Sequence, residues 1–496
     1  MNRIEARFYR IPLLLLLSFA ALFIHGYHPF SEDAEIYLPG VEKILNPKLF
    51  PVDQVFFQSH ASMTLFPNFV AWFVRITHLP LDVTLFLGYI AATFLLLAAC
   101  WELAALCFPS TRARWAAVLM IAALLTIPVA GTALYIMDPY LNPRNIAAFA
   151  CVFAVARAVE SKYVRAFLWI VFAGIVHPLM WTYTFSFWLL LFVMKKYEER
   201  SGRSSGKPAM TAASLALLWL PLAPHTGAAY DEAAKLHAYH YIQNWAWYEW
   251  LGALAPIVIF WWFARIARSR GWSVAERLSQ AFIIYDAIYF ISALVVDLPA
   301  RFESLARLQP LRSLHLLYIV MLLMMGGMLG EFVLKNRAWR WLALFLPISA
   351  GMMFAQRQLY PDSARVEWPG APPKNPWAQA FVWIRQNTPT DAVFTIDPKY
   401  MVIRGEDETG FRCLAERSRL ADAIKDNGVV SMFPLIADRW WAEVQAQTPW
   451  KDLQLANFEK LKQEYGANWT VLQQPGVPGL DDCPYQNSTV KVCKIP

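Results

Sequence analysis

Residues 82–107 read DVTLFLGYIAATFLLLAACWELAALC, an apolar run whose only charges are Asp82 and Glu102. A helix needs about 20 such residues to cross ~30 Å of hydrocarbon, because no water is present there to satisfy loose backbone groups. The stretch is therefore read as a membrane span. The same criterion gives further spans at 11–27, 115–136, 145–159, 164–176, 178–194, 211–229, 248–264, 278–297, 313–334 and 341–356. His177-Pro178 splits 164–194 into two, since proline lacks an amide donor and disfavours a helical residue before it. The first run follows a basic start without a small-x-small cleavage site, so it is expected to stay as an uncleaved span.

Composition agrees. The 496 residues are 57% hydrophobic and 16% charged, where a soluble domain carries about 25% charged residues. The 22 Trp, 33 Phe and 20 Tyr suit a water–lipid boundary. A soluble enzyme, a disordered chain and a disulfide-rich secreted module are excluded. The net charge of +7 does not point to nucleic acid: residues 1–356 hold 28 Lys/Arg against 20 Asp/Glu, and 357–496 hold 16 against 17. With about eleven spans and a cytoplasmic N-terminus, 20 basic residues fall in inside segments and 8 in short outside ones, as the positive-inside rule asks. Residues 62–78, with Pro67 and Arg75, are read as a helix lying at the interface.

The expected architecture is an α-helical polytopic membrane region over residues 1–356 with an outer loop at 28–81. A Pro-rich linker follows at 357–376, then a small extracytoplasmic α/β domain at 377–496. In that domain PWAQAFVWIRQNTP, LADAIKD and NFEKLKQEYG read as helices, and AVFTID, ANWTVLQ and TVKVCKI as strands. Cys483 and Cys493 can close a short loop in an oxidising compartment, with Cys413 as a competitor.

Three clusters on the outer side carry chemistry. Glu32, Asp33 and Glu35 follow the first span; a carboxylate there can take a proton from an acceptor, or hold a divalent cation (Mg or Mn) beside a lipid-linked phosphate. The alternative is a helix start, with Ser31 as cap and the acids in the first turn. Arg301, Arg307 and Arg312, with Arg144 in MDPYLNPR, can fork a phosphate or simply snorkel to headgroups. His28, His177, His237, His240 and His315 are candidates to line a substrate, or are structural donors. No His/Cys pairing with ligand spacing points to a metal site, and Asp53 is a weaker outside carboxylate. Asp286 is the single carboxylate inside a span that could serve transport. No GxxxxGK[ST], HExxH, GxSxG or post-strand GxGxxG occurs.

The first span with SEDAEIYLPGVEKI behind it, the interfacial stretch, PRN at 143–145, HP at 177–178 and LQPLRSLH at 308–315 together resemble polytopic GT-C glycosyltransferases. The tail, with WIRQNTP, GEDETGFRCLAERS and CPYQN, resembles the C-terminal region of bacterial membrane proteins grouped near that superfamily. The resemblance implies a bacterial inner-membrane enzyme that uses a polyprenyl-phosphate sugar donor and a glycan, lipid or protein acceptor, with no nucleic acid. It places the base or metal ligand at Asp33, with Glu32 and Glu35 beside it, and phosphate recognition at Arg312 with Arg307 and Arg301. The competing readings are a non-catalytic assembly protein that binds a partner through its outer domain, and a transporter of a lipid-linked substrate.

Overall fold

The computed structural model describes residues 3–201, 227–297 and 308–496. Arg301, Arg307 and most of the expected span 211–229 lie outside these. The helical region runs through α1 (Arg3–His25), α2 (Ala34–Leu45), α3 (Val55–Ser62), α4 (Phe66–Thr77), α5 (Leu81–Cys107), α6 (Thr111–Ala123) and α7 (Pro143–Val159). It continues through α8 (Tyr163–Val176), α9 (Pro178–Ser201), α10 (Ala228–Leu236), α11 (Trp247–Ser269), α12 (Ser273–Asp297), α13 (Leu314–Leu329) and α14 (Ala338–Leu359). Among the described residues, five segments are long and apolar enough to cross a membrane: Leu81–Cys107, Trp247–Ser269, Ser273–Val296, Pro310–Leu334 and Ala338–Leu359. Tyr9–His25 and Tyr163–Val176 are shorter apolar helices. The chain is a helical membrane protein; the described residues hold five full-length spans, against the eleven or so that the sequence reading expects over the whole chain.

The largest departure is at 115–136. Helix α6 stops at Ala123, and the chain turns back on itself through a bridge between Pro128 and Tyr135. Pro128 removes a donor and Gly131 weakens any helix that would continue. This irregular backbone is buried in protein, where its polar groups are met: Val129 N–H donates to the Leu134 carbonyl at 2.8 Å and Met137 N–H to that of Leu125 at 2.8 Å. Beside it, α13 packs on α6 through Gly326, and the turn that follows α13 does so through Gly330. A Cβ at Gly326 would sit 2.6 Å from the Ala116 carbonyl oxygen, so only hydrogen permits this approach.

Helix α4 has 12 residues, about 18 Å of rise, too short to span hydrocarbon. Phe69, Trp72, Phe73 and Ile76 are exposed on it while Val70 and Ala71 are buried, an amphipathic pattern suited to an interface.

The C-terminal part contains α15 (Pro376–Asn387), α16 (Phe411–Ala415), α17 (Lys425–Met432), α18 (Ala437–Ala446) and α19 (Leu455–Tyr465). Its strands are β1 (Val393–Ile396), β2 (Ser418–Arg419), β3 (Trp469–Gln473), β4 (Tyr485–Gln486) and β5 (Val490–Lys494), in the order β2-β1-β3-β5-β4. β1 is parallel to both its neighbours, and β5 runs antiparallel between β3 and β4. Trp377, Phe381, Phe394, Tyr400 and Phe411 fill one face. Cys483 and Cys493 are disulfide-bonded, and Cys413 is a buried free thiol. LADAIKD is not a helix: its first residues form a loop, and the Asp422 Oδ1 accepts the Ile424, Lys425 and Asp426 amides at 2.6–3.1 Å, so that α17 starts at Lys425.

This part is bolted to the first loop by charge. Glu35, on α2, accepts the Arg412 amide at 2.8 Å and Arg419 Nε at 3.0 Å. Arg412 forks Asp426 at 2.8 and 2.9 Å, and Arg419 binds Asp422. Two guanidiniums and three carboxylates are thereby sealed from water, each side chain at most 2% exposed. The linker is tied down as well: Arg365 Nε donates to the Phe23 carbonyl at 3.0 Å, and the Gly370 amide to Asp82 at 2.7 Å.

Removing one member of a buried ion cluster strands the others, at a cost of about 3–5 kcal/mol. Arg412→Met should lower the thermal unfolding midpoint of the detergent-solubilised protein and open the C-terminal part to limited proteolysis, whereas the surface change Lys460→Met should do neither.

Candidate active site

The chain reverses between α1 and α2 in a way that frees Asp33. Ser31 caps nothing; it bridges to Thr409. Glu32 sits at φ +58°, a left-handed conformation that costs a non-glycine residue about 1–3 kcal/mol, and its amide donates to the Glu408 carbonyl at 2.8 Å. Asp33 then occupies the position before α2 without capping it, so its carboxylate is not spent on the helix's own amides. Its amide donates to the Tyr140 hydroxyl at 3.2 Å, which fixes the turn from below.

Arg144 meets one of those oxygens. It lies in the first turn of α7, where Asn142 caps and Pro143 opens the helix. Its Nη2 is 3.4 Å from Asp33 Oδ2 and 2.7 Å from Asp138 Oδ2, and Nε is 3.0 Å from the latter. Asn142 Nδ2 also donates to Asp138, at 2.7 Å, and Asn145 Nδ2 holds the Asp138 and Tyr140 carbonyls at 3.1 and 2.6 Å. The MDPYLNPR loop is a rigid cradle for one guanidinium.

The other Asp33 oxygen faces the C-terminal part. Lys425 Nζ is 3.3 Å from Oδ1 and also binds the Glu32 carboxylate. The sequence gives no direct signal for Lys425, 392 residues away from Asp33 in the chain. Burial pulls its ammonium down to about 7, and the adjoining Glu32 and Asp33 carboxylates are the groups with which its proton is shared.

Asp33, Arg144, His177, His240 and Arg312 line one cavity of about 120 Å³. Its walls also include Tyr37, His60, Thr64, Tyr239, Gln309 and Ser431. Arg312 rides on the 3₁₀ turn Pro310–Ser313 before α13, and the Tyr183 hydroxyl pins that turn by donating to the Leu308 and Gln309 carbonyls at 2.7 and 2.8 Å. Its guanidinium lies 5.7 Å from the Tyr239 ring, and its buried Nε has no hydrogen-bond partner. The starts of α7, α9 and the 310–313 turn all reach this chamber, so helix dipoles add to the two guanidiniums in favouring an anion. His177 Nδ1 accepts the Met180 amide at 3.4 Å. Burial and neighbouring positive charge push His60 down to about 4 and His240 to about 2, leaving neutral rings that can donate or accept without adding charge.

Several expected residues stand elsewhere. Glu35 turns to the ion cluster and does not line the cavity, because two residues along a helix rotate a side chain by about 200°. His28 stacks on Tyr360, His237 packs against His240, and His315 Nε2 donates to the Ile136 carbonyl at 3.0 Å; none of the three lines the cavity. Asp53 binds Arg439, and Asp286 lies in α12 outside the cavity lining. A divalent cation does not fit at Asp33, since each oxygen already faces a side-chain cation. Among the described residues no three His, Cys, Asp or Glu side chains converge as metal ligands.

No family model matches the chain, and no curated protein matches it. Among solved structures it is similar to the archaeal oligosaccharyltransferase AglB from Archaeoglobus fulgidus, determined in complex with an inhibitory peptide and a dolichol-phosphate. The TM-score is 0.48 and the identity 12%, over 94% of this chain and 70% of that one.

Burial, reinforced by Asp138, holds the Asp33 carboxyl above the ordinary aspartate range, and Arg144 and Arg312 oppose that rise. Its protonation, followed by infrared difference spectroscopy with Asp33→Asn as the assignment control, should therefore have a midpoint above ~3.9. Arg144→Met removes a favourable charge and should move the midpoint higher still. The same substitution leaves Asp138 buried without its guanidinium, so a loss of about 3–5 kcal/mol in stability is expected by thermal unfolding.

Proposed function

We propose that this chain is an inverting glycosyltransferase of GT-C type in a bacterial inner membrane. It moves a sugar from a polyprenyl-phosphate donor to a glycan, lipid or protein acceptor, with the N-terminus cytoplasmic and the C-terminal domain outside. What supports the reading is a single observation: one carboxylate and two guanidiniums share a chamber walled by both the helical region and α17 of the C-terminal part.

In this mechanism the donor phosphate lies against Arg312, whose side chain lines the chamber, with the prenyl chain leaving along the apolar wall of Met63, Val176 and Leu179. The acceptor hydroxyl enters beside Asp33. Its oxygen attacks the anomeric carbon as the bond from that carbon to the phosphate oxygen breaks, and the proton passes to Asp33. The leaving polyprenyl phosphate gains negative charge, which Arg312 stabilises more strongly than it does the ground state. Arg144 keeps the Asp33 carboxylate aimed and, through Asp138, keeps itself still. Arg307 and Arg301, outside the described residues, are assigned to the same phosphate-holding role.

The test is transfer from a panel of radiolabelled polyprenyl-phosphate sugars by the protein reconstituted in liposomes. Asp33→Asn should lose about 10²–10⁴-fold in kcat with its unfolding midpoint kept, and Arg312→Ala about 10²–10³-fold. A folded Asp33→Asn protein with full transfer would end this proposal. Because Asp33 must be ionised, the rate should fall on the acid side through a midpoint above that of an ordinary aspartate.

A further inference from the structure

The chamber is not made by the helical region alone. Gly428, Ser431 and Met432, all on α17, form part of its wall, and the residue that opens α17 reaches the reacting carboxylate. We propose that Lys425 is the cation that serves Asp33, standing where a divalent metal ion would otherwise bridge the two acidic side chains, and that the C-terminal domain is thereby a working part of the site. This deepens the glycosyltransferase reading and rests on it for the role of Asp33.

Three observations carry it. First, the donor set: Lys425 Nζ binds Glu32 and lies 3.3 Å from Asp33 Oδ1, so one ammonium joins two carboxylates in the way a Mg²⁺-type ion, usually held by one or two carboxylates, would. Arg144 faces the remaining Asp33 oxygen, which leaves none for a metal. Second, Lys425 is held in place for the task. Its amide donates to Asp422 Oδ1 at 2.6 Å, and Asp422 is itself gripped by Arg419 inside the buried ion cluster. Third, the lysine side chain is only 13% exposed, too buried for an ordinary solvated surface charge.

In this role Lys425 is a positioning residue. It neutralises Asp33 and Glu32 together and holds the Asp33 carboxylate in one orientation; each Asp33 oxygen has a second lone pair, and one of these takes the acceptor proton.

The experiment is a Mn²⁺ titration of the purified full-length protein, followed by electron paramagnetic resonance, which needs neither donor nor acceptor. The wild type should bind no Mn²⁺ at this site. Lys425→Ala opens a space between two carboxylates and should bind about one Mn²⁺ per chain, and adding Asp33→Asn should abolish that binding. Lys425→Arg should behave as the wild type, and Lys425→Met, which keeps the packing of the stem, should control for folding. Transfer assays add a second reading: Lys425→Met should lower kcat about 100-fold, Lys425→Arg should restore most of it, and the wild-type rate should be unchanged by a chelator. A wild-type Mn²⁺ site lost in Asp33→Asn would overturn the proposal, as would a Lys425→Ala protein that binds no Mn²⁺ or a Lys425→Met protein with full activity. If no donor supports transfer, the glycosyltransferase reading fails while the Mn²⁺ titration still decides the role of Lys425.

Discussion

The structure depends on five charges taken out of water together. Glu35, Arg412, Arg419, Asp422 and Asp426 form a sealed cluster between α2, at the start of the first loop, and the segment leading into α17. Such a cluster is a poor source of stability, because desolvation cancels most of the attraction. It is a strong source of register: any shift of one element against the other would leave a charge alone in a dry interior. Everything nearby inherits that register. Asp33 lies two residues before Glu35, Lys425 lies one residue before Asp426, and the two meet because their neighbours are locked.

The chamber shows how an apolar bundle can hold a polar task. Arg144, His177 and Arg312 each sit where a helix begins or ends, and the backbone there is irregular but buried, as in the Pro128–Tyr135 turn. Arg144 spends most of its hydrogen bonds on Asp138, whereas Arg312 keeps a free Nε. One guanidinium is thus occupied with an acidic partner, while the other faces the Tyr239 ring and leaves its Nε unpartnered.

Part of this was legible in the sequence. Asp33, Arg144, His177 and Arg312 stand out because each interrupts or borders an apolar run, where a polar side chain needs a reason, and His240 by its spacing of three from His237. The α/β character of the tail follows from its alternating short segments, and α19 stops at Gly466, φ +73°, as its sequence suggests. Other features were hidden for physical reasons. Asp33 and Glu35 look equivalent in E-D-A-E, and only the rotation of a helix sends one to the chamber and the other to the ion cluster. The run 115–136 reads as one span until Pro128 and Gly131 are given their weight. Lys425 was hidden in LADAIKD, whose spacing resembles a solvated helix, because what gives it meaning is a contact across almost the whole chain.

That contact sets an order of events during synthesis. Glu32, Asp33 and Glu35 leave the ribosome early, while the cations that neutralise them, Arg412, Arg419 and Lys425, emerge nearly 400 residues later. Until then the acidic loop has Arg144 beside Asp33 but lacks its other cations, and the chamber lacks the wall formed by Gly428, Ser431 and Met432. The chamber is therefore completed only once α17 has been made, and a prematurely terminated product would carry Asp33 without Lys425 beside it.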